Sequence, residues 1–314
     1  MPVLVRPPGG QTPQVLPDVG FAVATWYAPD GSVWPLMAPD AGWFTQSEGI
    51  SGLGSAAITI TSDSRARGGA RVRHIQPETR SITWPLYVYG ETHMEFIERW
   101  HALEDAFTST SEQGPGQLEI ARPDGSARVV DAYYEAGFDP SVKQGYYITS
   151  DYCVLSLFCE DPYWRGRQPQ TVHREFATGV DFLSPYPSVS SSQVLGDTTL
   201  FNPGQVEAWP SWVMTGPSSL LTATLVDTGE SFSLDPNATD IAHGNLAAGE
   251  QVTVETDPPR VRFQDGSNWV AALNWPGAVL WSLPRGVSQV TFDLEGAAAG
   301  SAVDLSFYPR YKSA

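Results

Sequence analysis

Cysteine is nearly absent from this sequence. Its 314 residues hold two, Cys153 and Cys159. On one extended strand they would stand roughly 20 Å apart at about 3.3 Å per residue. A disulfide needs Cα atoms within about 7 Å of each other. That excludes a bridge between them and makes them two small buried apolar side chains. Neither a disulfide scaffold nor an oxidising compartment follows from such a count. Basic charge is scarce as well. Lys and Arg number 18 against 35 Asp and Glu, a net charge of −17, and both halves of the chain share the deficit. An acidic chain is repelled by nucleic acid and by anionic membrane surfaces, so neither is expected as a tightly held partner. Long apolar runs are missing too, and none approaches the roughly 18 residues of a membrane span. The opening MPVLVRPPGGQTPQ lacks the charged-then-apolar layout of a signal segment. The expectation is a soluble protein folded in a cytoplasm.

The motifs of chemistry are also lacking. Histidines 74, 93, 101, 173 and 243 are scattered, with no CxxC or HExxH. They read as solvated or hydrogen-bonded surface groups, and no metal or cofactor is expected. There is no G-x-S-x-G elbow and no cysteine with an obvious partner histidine. Glu160 and Asp161 adjoin an apolar run. Neighbours on a strand point to opposite faces, so Asp161 reads as the cap of an Asp-Pro turn rather than half of a catalytic pair. The glycine-rich SEGISGLGS at 47–55 has no lysine and no helix signal after it. It reads as a backbone bend or close chain contact, not a phosphate cradle. An enzyme is not expected.

What is present argues for β structure. Gly (29), Pro (26) and 11% aromatics are the composition of short strands joined by tight turns. The length predicts two domains, 1–166 and 167–314. Residues 1–20 are proline-rich. Residues 21–27 and 32–37 form a hairpin about Pro29-Asp30-Gly31, with Trp26 and Trp34 across it. A strand at 57–61 leads into a loop or hairpin tip carrying Arg65, Arg67, Arg71 and Arg73. Residues 80–89 form a strand in which Pro85 marks an edge or bulge. One helix is predicted at 91–107. Phe96, Trp100, Leu103 and Phe107 share a face, and Thr92 with Glu95 makes a capping box. A second hairpin turns at Pro123-Asp124-Gly125. The run 152–159 reads as a strand buried on both faces, stopped by Asp161-Pro162. The fold class is mainly β: an N-terminal antiparallel sandwich or barrel with one helix, then a C-terminal β-sandwich of jelly-roll type.

Residues 167–200 read as a polar connector, with Ser184-Pro185-Tyr186-Pro187 and serines at 188–192. Nine short strands follow, including 269–273 and 279–283. By strand parity Trp269 lies opposite to Val270 and Ala272 in sense and is expected to be exposed. Trp269 and Trp281 are the candidate sugar-stacking aromatics, and the competing reading places such rings in a small core. The arginine cluster reads either as an inter-subunit ion-pairing surface or as a solvated loop.

The order of these features resembles a known family. Trp34-Pro35-Leu36 is followed by GISGLGS, then Arg80 before SITWPLYVYG, then the single helix, then Gly114-Pro115-Gly116-Gln117-Leu118, and last LSLFCEDPYW. This resembles the N-terminal domain of the distal tail proteins of long-tailed, non-contractile phages, especially minor tail proteins of actinobacterial phages. The second half, with Asn202-Pro203-Gly204, Trp209-Pro210 and LAAGEQVTV at 246–254, is similar to their galectin-like sandwich. The resemblance implies a structural virion protein at the tail tip, assembled in the host cytoplasm. Six copies would form a ring on the tail tube protein, facing the hub or fibre protein, with the tape-measure protein nearby and DNA passing through. It carries no catalytic residues. Arg65, Arg67, Arg71 and Arg73 are then expected at a subunit interface or on the outside, away from the DNA channel. Asp161, Pro162, Tyr163 and Trp164 become the hinge between ring and sandwich. The alternative reading is a carbohydrate-binding adhesin that takes a glycan on the second sandwich. A ring in a gene-transfer particle or injection device is a third.

Overall fold

The computed structural model describes residues 20–139, 148–176 and 194–314, with side chains from residue 197 in the last stretch. The proline-rich stretch up to residue 19, Tyr146 and Tyr147, Ser184-Pro185-Tyr186-Pro187 and the serine run lie outside the described residues. The chain forms two compact units. One runs to Arg167 and also includes Tyr311–Ala314; the other is Gln168–Arg310.

In the first unit the strands are β1 (Val23–Tyr27), β2 (Val33–Pro35), β3 (Met37–Ala38), β4 (Trp43–Thr45), β5 (Ile58–Ser64), β6 (Ala70–Pro77) and β7 (Arg80–Tyr89). Helices α1 (His93–Thr108) and α2 (Thr110–Gln113) follow, then β8 (Gly116–Ala121), β9 (Ala127–Ala136), β10 (Ser150–Cys159) and β11 (Trp164–Gly166). The main sheet is antiparallel in the order β2-β1-β8-β9-β10-β7-β4-β3, with β11 also on β9. Among the described residues, strands β5 and β6 pair only with each other.

Two Pro-Asp-Gly-Ser turns close the β1–β2 and β8–β9 hairpins. In each, the Asp Oδ1 accepts the N–H of the serine two residues on, at 2.8 Å for Asp30–Ser32 and 2.9 Å for Asp124–Ser126. This is the Asx geometry that Asp favours in turns. Trp26 stands opposite Trp34 in register. Its ring goes inward, where it stacks on Phe107 with centroids 4.6 Å apart, and its indole N–H donates to the Ala106 carbonyl at 3.0 Å. Gly116 passes under that ring, and a Cβ there would come within 2.3 Å of Trp26.

Helix α1 is capped as its sequence requires. The Thr92 side chain accepts the Glu95 N–H at 3.2 Å, and the Glu95 carboxylate accepts the Glu91 N–H at 2.8 Å. Its face of Phe96, Trp100, Leu103 and Phe107 is buried against Ile82, Trp84, Leu86 and Val88 of β7 and the inward residues of β10. Pro85 sits in an interior strand, not at an edge. Its carbonyl accepts from Gln46 N–H, one residue past the end of β4. The missing N–H of Pro85 therefore lies on the β4 side, just past the last register pair of that strand, where it costs one bond at the end of a short ladder.

The second unit is a two-sheet sandwich of β12 (Gln170–Glu175), β13 (Val194–Asn202), β14 (Ser211–Thr215), β15 (Leu220–Leu225), β16 (Glu230–Leu234), β17 (Gln251–Thr256), β18 (Pro259–Phe263), β19 (Gly286–Glu295) and β20 (Ala302–Phe307). One sheet has the order β12-β20-β14-β17-β18 and the other β13-β19-β15-β16. Trp212 stands at the centre, edge-on to Trp281, Phe232 and Phe292 at 5.0–5.5 Å. Two parts of this unit differ from the sequence expectation. Residues 170–175 and 194–200, read as connector, lie in β12 and β13, strands at the edges of the two sheets. Residues 269–273 and 279–283, read as strands, are a 3₁₀ turn (Val270–Ala272) and an irregular segment.

Candidate assembly surfaces

The β5–β6 hairpin projects as an arm. Ile58 stands opposite Pro77, Ile60 opposite Ile75, and Ser62 opposite Val72 beyond a bulge. Cross-strand partners share a face, so Ile58, Ile60, Val72 and Ile75 form one apolar surface. All four are 52–55% exposed. The other face carries Thr59, Thr61, Asp63, Arg71, His74 and Gln76. Arg65, Arg67, Arg71 and Arg73 cluster at the exposed end of this arm, and Arg73 is ion-paired with Asp63.

A second open surface lies on β10. The run 152–159 is not buried on both faces. Cys153, Leu155, Leu157 and Cys159 point into the core, while Tyr152 (62%), Val154 (46%) and Phe158 (36%) are exposed. Tyr152 is opposite Tyr87, Val154 opposite Pro85 and Phe158 opposite both Ser81 and Tyr133. Phe44 lies 5.2 Å from the Tyr87 ring and 6.2 Å from Tyr89. A shallow recess of about 420 Å³, lined by Phe44, Thr45, Gln46, Ser47 and Glu48, opens at the β4 end of this face.

The corner after β10 is built into the first unit. Asp161 Oδ1 accepts the Tyr163 N–H at 2.9 Å, an Asx turn rather than half of a carboxylate dyad. Trp164 is fully buried in the unit's core, and the passage to the second unit comes after Arg167. Arg80, 3% exposed, holds this corner together with two other segments. Its guanidinium donates to the carbonyls of Gly52, Gly54, Pro162 and Lys312. Burial draws its pKa below the ordinary arginine value. Gly52 has φ +85°, and a Cβ would meet the Ser81 carbonyl at 2.1 Å, so the glycine-rich loop is a site of close chain contact. Residues 311–314 are held by two more arginines. Arg128 lies 4.0 Å over the Tyr311 ring and donates to the Ser313 carbonyl, and Arg122 donates to that of Ala314. Sequence reasoning noted Arg80 only as a landmark. An arginine opening an otherwise apolar strand was the available signal.

The candidate sugar-binding rings are interior. Trp281 is 2% exposed and donates to the Ala223 carbonyl at 3.3 Å. Trp269 is buried as well, stacked on Phe263 at 4.6 Å with His243 at 5.1 Å. Strand parity did not apply to it, because it leads into the 3₁₀ turn. Among the described residues, no three His, Cys, Asp or Glu side chains converge as metal ligands.

No protein-family model and no curated protein matches the chain. Solved structures do. The crystal structure of SPP1 Dit (gp 19.1), described as a paradigm of the hub adsorption apparatus in phages infecting Gram-positive hosts, aligns with a TM-score of 0.62 at 14% identity. The alignment covers 92% of this chain and 99% of that one. A chain of the phage P2 baseplate in its activated conformation aligns with a TM-score of 0.54 at 9% identity, over 93% and 99%. At these identities the likeness shows the fold, and it takes in both units.

Proposed function

We propose that this chain is a structural protein of a phage tail tip, and that six copies close into a ring at the distal end of the tail tube. The observation that carries this reading is the extent of the fold likeness. Both units, in the same order, correspond to 99% of a hub protein of a phage adsorption apparatus. A shared domain alone would not do so, since sandwiches serve many functions. The uncovered arm and the open β10 face support assembly, because a lone hairpin with an apolar face is marginal in water. The net charge of −17 suits a conduit that DNA must pass without adhering.

In this role the first unit builds the ring and stacks on the tail tube protein. The far side meets the hub or fibre protein, with the tape-measure protein as a further neighbour. The arginine arm lies between subunits or outside, not along the channel. The role is structural rather than catalytic, and the location is the virion tail tip. The adhesin reading is the weaker one, because the two rings named for it, Trp269 and Trp281, are packed inside the sandwich.

Mass photometry and negative-stain imaging of the purified chain test the proposal. Particles of six chain masses with six-fold symmetry, or pairs of such rings, are expected. A strict monomer at every accessible concentration would refute the ring.

A further inference from the structure

The arm and the β10 face are complementary, and among the described residues of one copy each is exposed. The arm presents Ile58, Ile60, Val72 and Ile75. The face presents Tyr152, Val154 and Phe158, flanked by Phe44, Tyr87, Tyr89 and Tyr133. Charge runs the same way. Between residues 58 and 77 there are four arginines and one aspartate, a balance of +3. The carboxylates around the face are Glu48 by the recess, Glu135 bonded to Ser156 at 2.6 Å, and the exposed Glu160. Its guanidinium is Arg165, which is paired with Asp131 at 2.7 Å. A basic apolar arm and an acid-rimmed aromatic face match in both respects.

We infer that the arm of one copy seats its apolar face on the β4–β7–β10 face of a second copy, with its arginines at the acidic rim. This rests on the ring reading and names the contact that would close it. Seven strand residues reach about 24 Å, far enough to cross several strands of a neighbouring sheet. Arm and seat are different patches, so the contact is heterologous. It leaves a free arm at one end and a free seat at the other, and repeats until the rotation closes.

A complementation experiment tests this pairing. One chain has residues 58–77 replaced by a short Gly-Ser link, which the hydrogen bond from Glu78 N–H to the Ala57 carbonyl makes geometrically easy. The other carries Val154→Arg. Each keeps one half of the contact, and the changes are at exposed positions. Circular dichroism checks that both fold. Mass photometry should show rings for the native chain, monomers for each variant alone, and a dimer when the variants are mixed. A mixed disulfide between an Ile60→Cys chain and a Val154→Cys chain should then form, with Cys153 and Cys159 silent in the core. Three results overturn the inference while leaving the ring standing: variants that still form rings alone, a mixture that stays monomeric, or a crosslink that never forms in intact rings. A native chain that never assembles overturns the ring reading itself.

Discussion

The Arg80 guanidinium clasps the Pro162 carbonyl with two N–H groups, Nε at 3.0 Å and Nη2 at 2.6 Å. Its remaining contacts run to Gly54 at 2.5 Å, to Lys312 at 2.9 Å and to Gly52. All these acceptors are neutral carbonyls from three separate stretches of chain. A planar fork of five donors can satisfy such a set, and a point-charge ammonium cannot. Arg80→Met should leave the carbonyls unpaired and lower the unfolding free energy by about 3 kcal/mol. Arg80→Lys should recover less than half of that. Urea unfolding followed by tryptophan fluorescence measures both, and a lysine variant of native stability would contradict the clasp.

The two thiols give a second measurement. Burial pushes both Cys153 and Cys159 up to about 12 from 9.0. In the native chain at pH 8 neither should react with a thiol reagent, and both should react once it is unfolded. The raised value also sets a direction. The folded form holds its thiol protons longer than the unfolded chain does. This contribution to stability is complete below pH 9 and is lost as pH rises from 9 to 12. A chain with both cysteines changed to alanine should lose part of that alkaline decline. Rapid labelling of the native protein would show that β10 opens.

The turns act in the opposite direction. Asp30, Asp124 and Asp265 each precede a Gly-Ser pair, and the serine hydroxyl and N–H two residues on hold each carboxyl below its usual value. Their contribution is present above the unfolded carboxylate range and fades as pH falls through the depressed folded value. These groups are almost fully solvated, so the effect is local. Carboxyl titration by NMR should give midpoints below 3.8 for all three, and Ser126→Ala should raise that of Asp124. Ordinary midpoints would remove the assigned hydrogen bonds.

Much of this fold was legible because local chemistry agrees with it. Asp-Gly turns fix the hairpins, and Thr92 with Glu95 fixes the start of the helix. Residues 170–175 and 194–200 read as connector because β12 and β13 are edge strands, where polar sequence is normal. The segments at 269–273 and 279–283 read as strands because they are short apolar runs between Asn, Gly and Pro, and such runs are equally at home in a buried turn. The open face of β10 was hidden for a different reason. Tyr152, Val154 and Phe158 are apolar enough to read as core, and a single sequence does not show whether its own chain or a second copy covers them. Arg80 was illegible as a keystone because its partners lie up to 232 residues away.

Trp164 separates two accounts of the Asp161-Pro162 corner. Along β9, Tyr133 faces Phe158 and Val129 faces Arg165, so four steps on one strand are matched by seven on the other. The corner is therefore a wide interruption in one edge of β9, after which pairing resumes, and proline with its missing N–H sits inside it. Trp164 fills the core just beyond, with the Arg80 guanidinium 5.7 Å from its ring. A core role predicts that Trp164→Ala lowers the stability of the first unit by about 3–5 kcal/mol. Trp164→Phe should cost far less, since the indole N–H has no hydrogen-bond partner among the described residues. A hinge role predicts native stability for both variants, with faster proteolysis after Arg167. Urea midpoints and limited proteolysis on the same samples decide between them. A native midpoint for the alanine variant would return the corner to the hinge, and the larger loss would make it part of the first unit's core.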